Sequence, residues 1–427
     1  MDSRPAHNPA DQSPAAQSPV DGFVAEQGGN APIGFAEFVG LVAALMALTA
    51  LGIDAMLPAL PAIGEALGVA NENQRQFVIT AFLLGFGLAQ LIHGPLADRF
   101  GRRPVLLVAL SAYVLANLIA AFASSFTLLL VARFASGLAI AASRVVTVAL
   151  VRDCYAGRAM ARVMSLAFMV FMAAPVLAPS FGQAILLVGN WQLIFVMIAA
   201  VSAVVLVWFA IRMPETLAVE ARQPLSWARL ASGWGRAITD RWSIGYTLAA
   251  TALLGALYGF INSVQQIVAA LTGNDDLLVP VFIGVAGMMA LANLLNSRIV
   301  MRLGTRRISH SALTGLIVLA GAHLVLASAG GETIWTFAVL QALTMACFGL
   351  ATANFSAMAM ENMGAIAGTA SSVQGFVTVT IGAIVGALIG QGFDGTTVPL
   401  YRGFFVAGLI ALAIVAVVER GRLFRPS

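Results

Sequence analysis

Long apolar runs, each closed by a short polar cluster, set the pattern of this chain. The first, from Phe38 to Ile53, is sixteen residues without a charge; it stops at Asp54, with Pro58 and Pro61 close behind. A helix that crosses a bilayer needs about 20 mostly apolar residues. Such runs fall near 36–60, 76–96, 104–123, 126–150, 161–187 and 191–211, and again near 243–270, 278–299, 308–329, 334–358, 366–391 and 401–419. Twelve spanning helices are expected. The cut between the third and fourth is set by length, because little more than Ser124 and Ser125 separates them.

Composition excludes a single aqueous core. Hydrophobic residues make up 60% of the 427 and charged residues 10%, against about 25% charged in soluble domains. The pattern predicts an all-α membrane protein of two pseudo-symmetric six-helix bundles, 34–211 and 243–420, joined by a linker at 212–242. Residues 1–33 are rich in Pro, Ala, Gln, Asp and Gly and lack the basic start and apolar core of a signal peptide. They read as a disordered tail, with 421–427 as a second, shorter one. The two cysteines, Cys154 and Cys347, suggest neither a disulfide framework nor a metal cluster.

Charge orients the chain. All 23 basic residues are Arg, and none is Lys. One set of loops holds Arg99, Arg102, Arg103, Arg152, Arg158, Arg162, those from Arg212 to Arg241, Arg298, Arg302, Arg306, Arg307, Arg420, Arg422 and Arg425. The opposite loops hold only Arg75 and Arg402, against Glu65, Glu72, Asp275, Asp276, Glu332 and Asp394. The positive-inside rule puts the Arg-rich loops and both termini in the cytoplasm. The net charge of +4 therefore reflects topology and contact with anionic membrane lipids, not a nucleic-acid partner. In the linker, SWARLASGWGRAITDRW reads as a short amphipathic helix anchored by Trp227, Trp234 and Trp242, or as a solvated connection.

The loops after the second and eighth runs echo each other. HGPLADRFGRRP and NSRIVMRLGTRR align with Gly101 on Gly304, Arg99 on Arg302 and Arg103 on Arg306, an offset of 203 residues. Two six-helix halves so related imply a parallel repeat, an organisation of transporters that bind substrate near the midplane between the halves.

GPLADRFGRRP, at 94–104, resembles the loop between helices 2 and 3 of the major facilitator superfamily, through Gly94, Leu96, Ala97, Asp98, Arg99, Gly101, Arg102 and Arg103. IDAMLPALPAI (53–63), RFASGLAIAASRVVTVALVRD (133–153), APVLAPSFG (174–182) and AGTASSVQG (367–375) are similar to the Bcr/CflA branch of drug:proton antiporters. The resemblance implies a rocker-switch exporter of amphipathic small molecules in the inner membrane. It would act as a monomer, driven by entering protons and without a cofactor. It also implies a gating role for the loop, with Asp98 near the start of the eleventh helix, around Ala365–Thr369, and Arg102 paired with Asp153. Gly94 allows close helix approach and Gly101 a tight turn with φ > 0; three clustered arginines serve topology as well. Pro175, Pro179 and Gly182 kink and thin the fifth helix. They correspond to the antiporter motif, although its fuller glycine pattern is not present.

Three ionisable side chains sit well inside the expected spans: Asp54, Arg133 and Arg144. A central charge costs about 2.5–3.5 kcal/mol on insertion scales, so such groups should face a cavity or each other. A carboxyl there can change protonation as access alternates, whereas Arg does not readily lose its proton. Asp54 is thus the expected proton carrier and Arg133, which matches the helix-4 arginine of the resembling family, the residue that positions and tunes it. Arg144, where the resemblance implies a small or apolar residue, is either a second cavity charge or a side chain that snorkels to the cytoplasmic head groups. Gln265 and Gln266 are the preferred cavity candidates among the scattered amides, and His93 and His323 read first as packing residues. Four dispersed His and the lack of HExxH or GxSxG argue against an enzyme. Two readings remain: an exporter of drug-like molecules, and an exporter of one natural metabolite, an acid if Arg144 faces the cavity.

Overall fold

Proline shapes the first span. In the computed structural model, which describes residues 31–424, helix α1 (Phe35–Asp54) gives way to a single 3-10 turn at Leu57–Ala59 and a short helix α2 (Leu60–Ala66). Pro58 has no amide hydrogen to offer the carbonyl of Asp54 four residues earlier, so the α-helical ladder stops there. Ala59 N bonds Met56 O at 2.9 Å instead. Of the expected tails, residues 1–30 and 425–427 lie outside the described residues, as does the side chain of Trp227.

The first half continues with α3 (Phe77–Phe100), α4 (Arg102–Ala121), α5 (Phe126–Cys154), α6 (Gly157–Leu186) and α7 (Trp191–Arg212). Ser125, left between the third and fourth runs, caps α5: its Oγ accepts from Leu128 N at 3.2 Å. After the linker helix α8 (Trp227–Thr239) come α9 (Arg241–Thr272), α10 (Leu278–Leu303), α11 (Thr305–Ser328), α12 (Ile334–Met360), α13 (Ala367–Gln391) and α14 (Val398–Val418). Among the described residues, eleven helical segments are long and apolar enough to cross a membrane, the first running Phe35–Ala66; in α6 the described apolar stretch is Ala173–Leu186. Several helices overrun their apolar windows, α5 to Cys154 and α10 to Leu303. A helix satisfies its own backbone groups in lipid and head-group region alike, so it need not stop where the apolar residues do.

The same pairs recur in both halves. In the first, α3 packs on α5, α4 on α5 and α7, and α1 on α6; in the second, α10 packs on α12, α11 on α12 and α14, and α9 on α13. The halves meet along α3–α13 and α6–α10, as a parallel repeat requires. Glycine makes the tightest crossing possible. A Cβ on Gly137 would strike the carbonyl of Phe82, and one on Gly85 the carbonyl of Phe134, so α3 and α5 touch backbone to backbone.

The linker forms the amphipathic helix, but Trp234 and Trp242 rest on protein. Trp234 and Ala237 of α8 pack with Met363, with Ala370 and Val373 of α13, and with Leu91 of α3. Trp242 stacks on Tyr246, and Arg306 lies 4.7 Å over its ring. Both cysteines are free thiols.

Candidate functional site

Asp54 is the last residue of α1 before the proline break. It is 4% exposed, and its Oδ1 is buried without a hydrogen-bond partner. No ion pair reaches it among the described residues. The break is braced by α6, which carries Pro175 and Pro179 within its helix. A Cβ on Gly182 would run into the carbonyl of Ala55 and come within 3.2 Å of Pro58 Cγ. The kinked stretch of the fifth span is thus fitted onto the broken stretch of the first, directly beside the carboxyl.

Arg133, expected to position and tune Asp54, grips the backbone that carries it. The guanidinium is fully buried; Nη2 donates to Gly52 O at 2.7 Å and Nε to Val78 O at 3.1 Å. It lies 4.4 Å from the Phe82 ring centroid, and Nη1 has no partner. One side chain of α5 therefore fastens the turn of α1 that ends in Asp54 and the first turn of α3. Farther along α5, Ser143 Oγ bonds Leu45 O of α1.

Arg144 lies about 16 Å along α5 from Arg133, at a rise of 1.5 Å per residue. Its side chain is exposed and makes no hydrogen bond or ion pair among the described residues. It interacts electrostatically with Tyr258 of α9, a buried residue of the other half, which in turn interacts with Asp54. Arg144 therefore faces the space between the halves rather than the Arg-rich end of its helix, about 15 Å away. Side chains of α1, α5 and α9 converge on one midplane region.

At the Arg-rich end, the loop between α3 and α4 is locked by acids. Arg102 is 3% exposed; its Nη1 donates to Asp98 Oδ1 at 2.6 Å and its Nε to Asp153 Oδ2 at 3.0 Å. Glu215, just after α7, accepts from Arg102 N at 2.9 Å and Arg103 N at 3.2 Å, capping α4. Its carboxylate fills the place a side chain on Gly101 (φ 102°) would take, so only glycine fits this turn. Arg103 closes the end of α7, donating to Met213 O and Ala210 O, both at 2.8 Å. Arg99 is exposed over Phe100, and Gly94 faces Ser372 of α13. Asp98 does not reach 365–369. It is half exposed and bound to Arg102 in its own half, although α3 and α13 stay in contact nearby, at Gly94 and Ser372.

The hydrogen bonds between the halves gather at the Arg-poor end. Gln76 Nε2 donates to Gln266 Oε1 at 2.5 Å and Gly390 O at 3.1 Å, and Gln266 Nε2 donates to Asn73 Oδ1 at 2.8 Å. Asn73 donates to Gln391 O and Phe393 O, and Gln391 Nε2 donates back to Asn73 O at 2.6 Å. Gln266 is therefore part of a seal, and Gln265 is tied to Asp275 at 2.9 Å. Both sit about two turns beyond Tyr258, too near the Arg-poor end of α9 to line the space around Arg144. His93 bonds Leu138 O, joining α3 to α5.

Sequence reasoning missed Glu215, Tyr258 and the seal of Asn73, Gln76 and Gln391. The signal for Glu215 was its place one loop after the sixth span. For the amides, a polar cluster at 71–75 read only as a loop, and Gln76 only as the start of the second run.

Residues 42–387 match the family described as Major Facilitator Superfamily. The chain is 30% identical over 387 residues to the bicyclomycin resistance protein homolog of Haemophilus influenzae, covering 89% of this chain and 94% of that one. It is 28% identical over 378 residues to the multidrug resistance protein MdtL of Klebsiella pneumoniae, covering 87% and 94%. Its fold is similar to that of the xylose transporter XylE of E. coli in a partially occluded inward-open conformation. The TM-score is 0.69 at 10% identity, over 90% of this chain and 97% of that one.

Proposed function

The chain belongs to the Major Facilitator Superfamily, and from that premise we propose that it exports amphipathic small molecules in exchange for protons. It does so by alternating access across the inner membrane, with both termini in the cytoplasm. The observation that carries this reading is Asp54, a buried carboxyl without a counterion at the break of the first span. An unpaired charge at bilayer depth is costly, by about 2.5–3.5 kcal/mol. A carboxyl bears that cost only while ionised, so a proton taken up from outside lets the sealed state pass. Opening to the cytoplasm brings water to the group and releases the proton, and substrate leaves on the opposite swing.

The neighbours serve that cycle. Arg133, by holding Gly52 O and Val78 O, keeps the Asp54 turn in register with α3 and α5 as the halves rock. The fit of Gly182 on Ala55 excludes water from the break, which limits proton leak. The Asp98–Arg102–Asp153–Glu215 cluster makes the cytoplasmic loop one rigid piece that moves as a gate. Relatives named for bicyclomycin and multidrug resistance support drug-like cargo.

The test is dye accumulation by everted vesicles energised with a proton gradient, comparing the natural chain with Asp54→Asn at equal insertion. The variant is expected to fall to the passive background at every gradient. Gradient-dependent accumulation at the natural rate would remove Asp54 from the mechanism.

A further inference from the structure

Arg144 is the one cation that the structure exposes to the space between the halves at midplane depth with no partner among the described residues. Asp54, the other unpaired group of this region, is neutral whenever it holds the exchanged proton, and the arginines of the neighbouring helices are held. Arg133 is sealed against two carbonyls and two aromatic rings. Arg102 is held by Asp98 and Asp153, and Arg212 by Glu37 at 2.6 and 2.7 Å. A guanidinium cannot discharge itself by losing a proton, so its charge persists through the cycle. When the halves close over it and water is excluded, something else must balance that charge.

Resting on the reading of the chain as an exporter, we propose that its cargo carries an anionic group, a carboxylate, sulfonate or phosphate, which Arg144 binds. The guanidinium is a planar fork of donors matched to such oxygens. Tyr258 of α9 lies within electrostatic reach of it from the other half, and its hydroxyl is available to hydrogen-bond the same anion. The bound molecule thereby touches both halves, which is the condition for cargo to draw them together. The apolar body of the cargo lies towards Val148, exposed one turn further along α5. Exchange of one anion outward for one proton inward also moves two charges in the same electrical sense. Export is then driven by an inside-negative potential as well as by the proton gradient.

Three probes of one shape test this: 1-naphthoate, 1-naphthalenemethanol and 1-naphthylmethylammonium, titrated against the full chain in nanodiscs with binding read by calorimetry. Naphthoate is expected to bind most tightly. Arg144→Gln is expected to weaken naphthoate by roughly 10- to 100-fold, the usual worth of a hydrogen bond to a charged group, while leaving the neutral alcohol nearly unchanged. Arg144→Lys is expected to recover part of the loss. The probe series on the natural chain needs no variant, so misfolding of Arg144→Gln does not protect the proposal. Tighter binding of the ammonium than of naphthoate overturns it, as does unchanged naphthoate affinity in a folded Arg144→Gln.

Vesicle flux separates this inference from the reading beneath it. Naphthoate export that depends on Arg144 but ignores the proton gradient leaves anion recognition standing and removes proton exchange. Proton-driven export of the ammonium that survives Arg144→Gln does the reverse.

Discussion

Eight residues into α5 stands Arg133, and eight residues into α12, its counterpart in the second half, stands Gln341. Both are fully buried. Arg133 carries a permanent charge to the carbonyls of two other helices, whereas Gln341 accepts one hydrogen bond from the Tyr401 hydroxyl at 2.9 Å. The contrast extends through the molecule. Near its middle the first half places Asp54 and Arg144, neither ion-paired. The second half keeps Glu332 and Glu419 near helix ends and pairs them. His323 bonds Glu332 at 2.5 Å and stacks on Tyr401, while Glu419 takes Arg306 at 3.1 Å and the Tyr246 hydroxyl at 2.5 Å. Paired charges stabilise or at least do little harm, but unpaired ones at bilayer depth are expensive and persist where they do work. Two copies of one helix plan thus differ in where they place charge: unpaired near the middle of the first half, paired near helix ends in the second.

The sharpest way to break this contrast is to neutralise one acid in each half. Asp54→Asn is expected to abolish proton-driven export. Glu332→Gln, although it weakens a buried network by about 1–3 kcal/mol, is expected to leave the proton dependence of the remaining export unchanged. Equal loss of coupling in both variants would mean that the halves share the proton.

A smaller effect is expected from the matched pair on α5 and α12. Arg133→Gln strips two charge-assisted hydrogen bonds from carbonyls of α1 and α3, at about 1.5–3 kcal/mol each. Gln341→Leu removes one neutral contact worth about 1 kcal/mol. Thermal unfolding in detergent should rank the two in that order, and equal losses would erase the distinction between them.

The smallest effect concerns the Arg-poor seal, where the halves meet through amides alone. Gln76→Ala combined with Gln266→Ala removes neutral hydrogen bonds worth about 0.5–1.5 kcal/mol each, enough to raise the outward-open population by roughly tenfold. Spin labels at Glu72 and Asp394, both exposed, in a chain with Cys154 and Cys347 changed to Ser, would report the longer distance. Because amides do not titrate near neutrality, the gain should be the same at pH 6 and pH 8. A gain confined to one pH would show that an ionisable group controls this end.

Much of the fold was legible because lipid allows few solutions. A run of about 20 apolar residues between polar clusters has to be a helix, and an arginine bias between alternate loops orders the helices. Asp54, Arg133 and Arg144 stood out for the same reason, since a charge within such a run is improbable by composition. The partners were not legible. Arg133 was expected to position and tune Asp54, but the carbonyls through which it holds that turn could not be read from the sequence; the approach of α3 to α5 at Gly85 and Gly137 sets them. Glu215 looked like an ordinary linker acid until the end of α7 came to lie against the start of α4, more than a hundred residues earlier in the chain. Gln266 looked like a cavity residue until α9 was set against the Arg-poor end of α3.

By itself the sequence determined the number and order of the spanning helices, the repeat and the break at Asp54, because these depend on local properties: apolar length, proline and net loop charge. Only the tertiary structure decided where the hydrogen bonds between the halves gather, which acids hold the loop between α3 and α4, and that Arg144 comes within electrostatic reach of Tyr258. Those are contacts between residues far apart in the chain, and no local property records which distant side chain will be waiting.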